Sequence, residues 1–171
     1  MKTTLFISCI IMSLQLAAQN NNQPPCSAPE SHQFDFWLGD WAITYGDTMH
    51  ATNHVEKMMN GCTVQENFND LHSNYTGKSW SVYIANYKQW QQTWVDDQGG
   101  YIALTGGMQC DSMVLTTAER KVPVKVSPTG KMINRMVYYN ITKDAFEWDW
   151  ESSTDGGKTW KSNWHLDYER K

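Results

Sequence analysis

The stretch FEWDWESSTDGGKTWKSNWHLDYER, residues 146–170, decides the fold class. Phe146, Trp148 and Trp150 alternate with Glu147, Asp149 and Glu151, so a strand here puts three aromatic rings on one face and three carboxylates on the other. After a break, Trp160, Trp164, Leu166 and Tyr168 share a face, opposite Lys161, Asn163, His165, Asp167 and Glu169. The break itself is turn chemistry. Asp155 can accept backbone N–H bonds, and Gly156 and Gly157 tolerate positive φ. Two amphipathic strands joined by such a turn form a β-hairpin, with Trp160 folding back under the loop.

The turn, STDGGKTW at 153–160, fits the S-x-D-x-G-x-x-W pattern of an Asp box and resembles the repeated hairpins of sialidase propellers. In those enzymes the box is structural. A sialidase also needs several blades and an arginine triad. This chain has three arginines in all, Arg120, Arg135 and Arg170, in dissimilar settings. The motif therefore yields a structural hairpin at Asp155, Gly157 and Trp160, and no glycosidase.

Moving toward the N-terminus, the same reading repeats. Strands are expected at FWLGDWAITYG, MHATNHVEKM, CTVQENFND, KSWSVYIANY, WQQTWVDD, YIALTGGM, SMVLTTAER and INRMVYYNIT. Asn60-Gly61 is a hairpin signal. KVPVKVSPTGK, with two prolines, reads as edge strand or loop. About ten strands with turns every 8–12 residues, and no long 3.6-period segment, point to an all-β sandwich or antiparallel up-and-down barrel over residues 34–171.

Ahead of it lie two other segments. Residues 1–18 combine Lys2 with an apolar run and read as a secretory signal peptide. Residues 19–33 are polar and proline-bearing and read as an arm, with a short helical turn near Ala28–His32. The expected destination is periplasmic or secreted, without stable membrane insertion. An oxidising compartment favours one disulfide, expected at Cys26–Cys62 to pin the arm, which leaves Cys110 over. The net charge of −4, with no basic run, argues against nucleic-acid binding.

FDFWLGDW at 34–41 carries a second signature, Gly39-Asp40-Trp41, a G-x-W at the start of the first strand. This resembles the N-terminal mark of lipocalin-like (calycin) barrels. The resemblance implies that Trp41 closes the barrel floor with Arg170 lying across it. QFDFWLGDW, GC at 61–62, QTWVDDQGG and STDGGKTW also occur in the order found in an uncharacterised family of exported bacterial proteins with a calycin-like domain. That resemblance spans residues 33–171 and implies a barrel, without an activity.

Nine tryptophans exceed what a floor needs. They fill the barrel, or line a cavity, or form an outer sugar-binding strip in which Trp90 and Trp94 flank Gln92. For a cavity, the candidate lining is Trp80, Trp94, Trp148, Trp150 and Tyr139. Arg135 has three readings: an anchor for a ligand carboxylate, an internal ion pair with Glu151 or Glu66, or a surface residue if Met136 and Tyr138 face inward. No metal site is expected, because His50 and His54 on a strand lie about 13 Å apart. No cofactor is expected either, because His165, a candidate haem ligand, falls on the polar face. The leading expectation is a binding protein for a small apolar or amphiphilic molecule. An enzyme using the barrel mouth is the alternative, and it requires a perturbed carboxylate or tyrosine inside the cavity. A packed envelope module is a third reading.

Overall fold

The computed structural model describes residues 24–46, 48–117, 126–127 and 130–171. The strands are β1 (Gly39–Tyr45), β2 (Thr48–Met58), β3 (Thr63–Asp70), β4 (Thr76–Ile84), β5 (Gln89–Asp96), β6 (Tyr101–Gln109), β7 (Ser112–Thr117), β8 (Val126–Ser127), β9 (Gly130–Lys131), β10 (Ile133–Tyr139), β11 (Ala145–Ser153) and β12 (Lys161–Arg170). Ten of them close into an antiparallel barrel in the order β1-β12-β11-β10-β7-β6-β5-β4-β3-β2. β8 and β9 form a separate two-stranded pair, which accounts for part of KVPVKVSPTGK. The rest of that segment and the signal-peptide reading of residues 1–18 lie outside the described residues.

Alternation produces the barrel. Val64, Glu66, Phe68 and Asp70 of β3 point inward, as do Trp90, Gln92 and Trp94 of β5, while the residues between them are exposed or half-buried. Closure follows from the pairing of β1 with β12, in which Trp41 stands opposite Arg170. Met59, Asn60 and Gly61 all take positive φ in the β2–β3 turn.

The arm plugs one end. Residues Pro29–His32 and Asp35–Trp37 form 3₁₀ turns that deliver Phe34 and Trp37 into the barrel. Phe34 makes edge contacts with Trp90 and Tyr138 at centroid distances of 4.8 and 5.6 Å. The Trp41 indole N–H donates to Trp37 O at 2.8 Å, and the Arg170 guanidinium lies 4.3 Å over the Trp41 ring. Arg170 also donates to Leu38 O and Lys143 O. Gly39 sits at φ +120°, and a Cβ there would collide with Arg170 Nη1. The G-x-W pattern thus encodes a glycine that makes room for the arginine closing the floor. The Cys26–Cys62 disulfide ties the arm to this same end. Cys110 is free and exposed.

One expectation about facing residues is corrected. A bulge between Trp150 and Glu151 shifts the β11–β12 register, so that Trp150 pairs with Trp164 but Glu151 with Ser162. Beyond the bulge the faces exchange. Ser162 donates to Asp149 on the outside, and Trp160 lies outside beneath Arg135, 4.0 Å from the guanidinium. Trp160 therefore does not share a face with Trp164.

Candidate functional site

The half of the barrel away from the arm encloses a cavity of about 220 Å³. Its walls are Phe68, Tyr75, Trp94, Trp148, Trp150 and Trp164, with Ile102, Met136 and Leu166 between the rings. Tyr138, Tyr168 and Glu66 complete the lining. Trp148 and Trp164 meet edge to face at 5.7 Å, and Phe68 touches both Trp94 and Trp164. These rings brace one another and leave space between them.

Two loops hold the mouth. Asp96, at the end of β5, accepts from Tyr75 Oη at 3.0 Å and from Trp94 Nε1 at 3.2 Å. It also accepts from the backbone N–H groups of Gly100 and Gln98, which hold its carboxyl below the ordinary range. The DDQGG turn is thus a clamp that fixes two cavity rings. Gly77 lies beneath the Trp94 ring, and a Cβ there would overlap the indole. Asp70, at the end of β3, accepts from Tyr45 Oη and from the N–H groups of His72 and Ser73. Burial opposes ionisation of Asp70, but the backbone donors prevail and hold it at about 2.

At the bottom of the cavity sits the group with the most unusual environment. Glu66 is 6% exposed and sits on the β3 inner face. Asn53 Nδ2 donates to its Oε1 at 2.8 Å and Ser79 Oγ to its Oε2 at 2.6 Å. Burial pushes its pKa up to about 7, although both hydrogen bonds act in the opposite direction. The hydroxyls of Tyr138 and Tyr168 are buried near it. Burial first and the Glu66 charge second drive both well above the normal tyrosine range.

The expected site residues divide into two groups. Trp94, Trp148 and Trp150 line the cavity. Trp80, Arg135 and Tyr139 do not. Trp80 is 37% exposed on the outer face of β4. Met136 and Tyr138 take the inner positions of β10, so Arg135 and Tyr139 necessarily point out. Arg135 pairs with Glu151 and stacks on Trp160. Tyr139 lies beside His165, Glu147 and Asp149. The outer sugar strip is corrected too: Trp90 is buried in the floor, Trp94 lines the cavity and Gln92 is 1% exposed between them.

The remaining candidates fall outside the cavity. His165 stands on the outer face, 3.0 Å from Asp149. There Glu147, His165 and Asp167 bring potential ligand atoms within 4.8 Å of one another, with Glu147 already bonded to Asn140. His54 pairs with Asp40, while His50 stacks on Tyr45. Asp155 accepts from Thr159 Oγ1, Thr159 N, Lys158 N and Ser153 Oγ, so the Asp box is a hairpin support.

Sequence reasoning missed Glu66 as a cavity residue and considered it only as a partner for Arg135. The signal was present in VQENF: Val64, Glu66 and Phe68 fall on one face at period two. No family model matches this chain, and no curated protein matches it. The closed ten-strand antiparallel barrel, with its floor of Trp41 and Arg170, is consistent with a calycin-like fold.

Proposed function

We propose that this chain is an exported, calycin-like binding protein for a small amphiphilic molecule, held in the aromatic cavity. The cavity carries the reading: about 220 Å³ is left open between indole walls, with one buried carboxyl at its base. Apolar pockets with a few convergent polar groups are the usual form of small-molecule sites. Export and membership of the exported family are supported by the signal-like leader, by the motif order and by the Cys26–Cys62 disulfide. No described helix is long and apolar enough to cross a membrane.

Calorimetric titration with naphthalene, a neutral planar probe, tests the site. We expect saturable one-to-one binding with quenching of tryptophan fluorescence. Gly77→Ala, which drives the Trp94 ring out of position, should weaken it at least tenfold at a stability cost of about 1–3 kcal/mol. Absence of binding, or unchanged affinity in a folded Gly77→Ala protein, overturns the reading.

Glu66 supports a second reading, an enzyme of small-molecule metabolism. A buried carboxyl that titrates near 7 at the base of a cavity is suited to general acid–base work. Incubating the compounds recovered from the purified protein with Glu66→Gln and with the unaltered chain distinguishes the two. Chemical change only with the unaltered chain identifies an enzyme, and identical recovery identifies a binder.

A further inference from the structure

We propose that the cavity selects a primary amine in its protonated form, with the ammonium seated against Glu66 and a flat or short apolar body among the indoles. The proposal deepens the ligand-binding reading and rests on it.

Two buried acceptors stand behind Glu66 and Tyr138, outside the cavity lining itself. Asn53 Oδ1 and Gln92 Oε1 are buried and accept no hydrogen bond from the described residues. Asn53 is the residue bonded to Glu66, and Gln92 lies beside the Tyr138 hydroxyl. An ammonium group brings three donors and no acceptor. A carboxylate head would instead set a second anion beside Glu66.

Charge points the same way. The groups that face Glu66 are Asn53 from β2, Ser79 from β4, Tyr138 from β10 and Tyr168 from β12. None of them is a cation, and the tyrosines are held neutral. A buried carboxylate without a cation is costly, and a ligand ammonium removes that cost. The Trp94, Trp148 and Trp164 rings in the lining offer cation–π attraction along the approach. The ligand charge is thus opposite to the one expected when Arg135 was placed in the cavity.

Size sets the body. An apolar cavity of about 150 Å³ takes benzene, so the space here suits a ligand of roughly ten heavy atoms.

Three probes with the same ring test the proposal: 2-phenylethylamine, 2-phenylethanol and 3-phenylpropanoate, titrated calorimetrically into the protein. The amine should bind at least tenfold tighter than the alcohol, and the propanoate weakest of all. Between pH 6 and 8 the amine stays charged while Glu66, at about 7, ionises, so amine affinity should rise about tenfold with pH. Glu66→Gln should abolish that pH dependence and reduce the amine to the affinity of the alcohol. If the alcohol or the propanoate binds as tightly as the amine, or if amine affinity is flat with pH, the amine assignment is overturned while naphthalene binding keeps the cavity reading. If none of the three binds and naphthalene does not bind either, both readings fall.

Discussion

At the closed end of the barrel, Trp37, Trp41 and Trp90 are no more than 2% exposed and touch Phe34, Tyr138 and Phe146. At the open end, Trp148 and Trp164 meet each other across an edge, and beside them is space. Both ends draw on indoles at alternating strand positions, Trp41 and Trp90 at one and Trp94, Trp148 and Trp164 at the other. What differs is the occupant. The Phe34–Trp37 segment fills the first end from the chain itself, pinned by Cys26–Cys62 and capped by Arg170. Among the described residues nothing comparable enters the second. Between the two lies a polar layer of Asn53, Glu66, Ser79, Ser81 and Gln92, all buried. Aromatic content alone therefore does not distinguish core from site. The distinction lies in whether a segment of the same chain supplies the missing ring.

The largest effect should come from breaking the floor. Trp41→Ala removes a fully buried ring that bonds Trp37 and supports Arg170. Its cost should be about 3–5 kcal/mol. Trp148→Ala removes a ring that already lacks neighbours on its cavity side, so its dispersion loss is smaller. It should cost less than half as much and instead weaken ligand binding. Urea denaturation of both variants checks this. Equal losses at the two positions would erase the distinction between packed floor and hollow mouth.

Next in size is the polar layer. Glu66 titrates near 7 in the fold against an ordinary 4.5. Between those values the native state holds a proton that the unfolded chain has released. Stability must therefore fall as pH rises across the window, by roughly 3 kcal/mol in all. Glu66→Gln removes this titration. The variant should match the unaltered chain below about pH 4.5 and exceed it by most of that amount at pH 8. Denaturation at pH 4.5, 6 and 8 tests the point. A difference that stays constant with pH would mean that Glu66 is ionised throughout.

The barrel was legible because alternation is a local property. Phe146, Trp148 and Trp150 state their face within five residues, while the floor came from the resemblance of Gly39 and Trp41 to the calycin mark. The disulfide was legible because an expected signal peptide takes Cys9 with it, which leaves Cys26, Cys62 and Cys110 and an arm in need of anchoring. Trp160 was misplaced because a bulge adds a residue that no alternation rule records. Arg135 was left with three readings for a different reason. Its strand, INRMVYY, has aromatic or aliphatic residues on both faces, so period two does not choose between Arg135 and Met136. The choice comes from partners distant in sequence: Phe34 and Phe146 claim Tyr138, while Glu151 and Trp160 claim Arg135.

Arg135→Ala gives the smallest expected effect and tests the inside–outside assignment directly. The guanidinium is 25% exposed and Glu151 is 16% exposed, so the pair is screened by water and contributes little alone. Stacking over Trp160 adds a comparable amount. Together the loss should be about 1 kcal/mol. It should appear as local opening of the Ser153–Trp160 hairpin, because Trp160 Nε1 donates to Gly157 O and holds that loop closed. Hydrogen exchange at Gly157 and Thr159 would report it. Ligand affinity should stay within twofold of the unaltered chain, since Arg135 and the cavity lie on opposite faces of the sheet. A tenfold loss of affinity with intact stability would place Arg135 inside after all and would invert the charge assigned to the ligand.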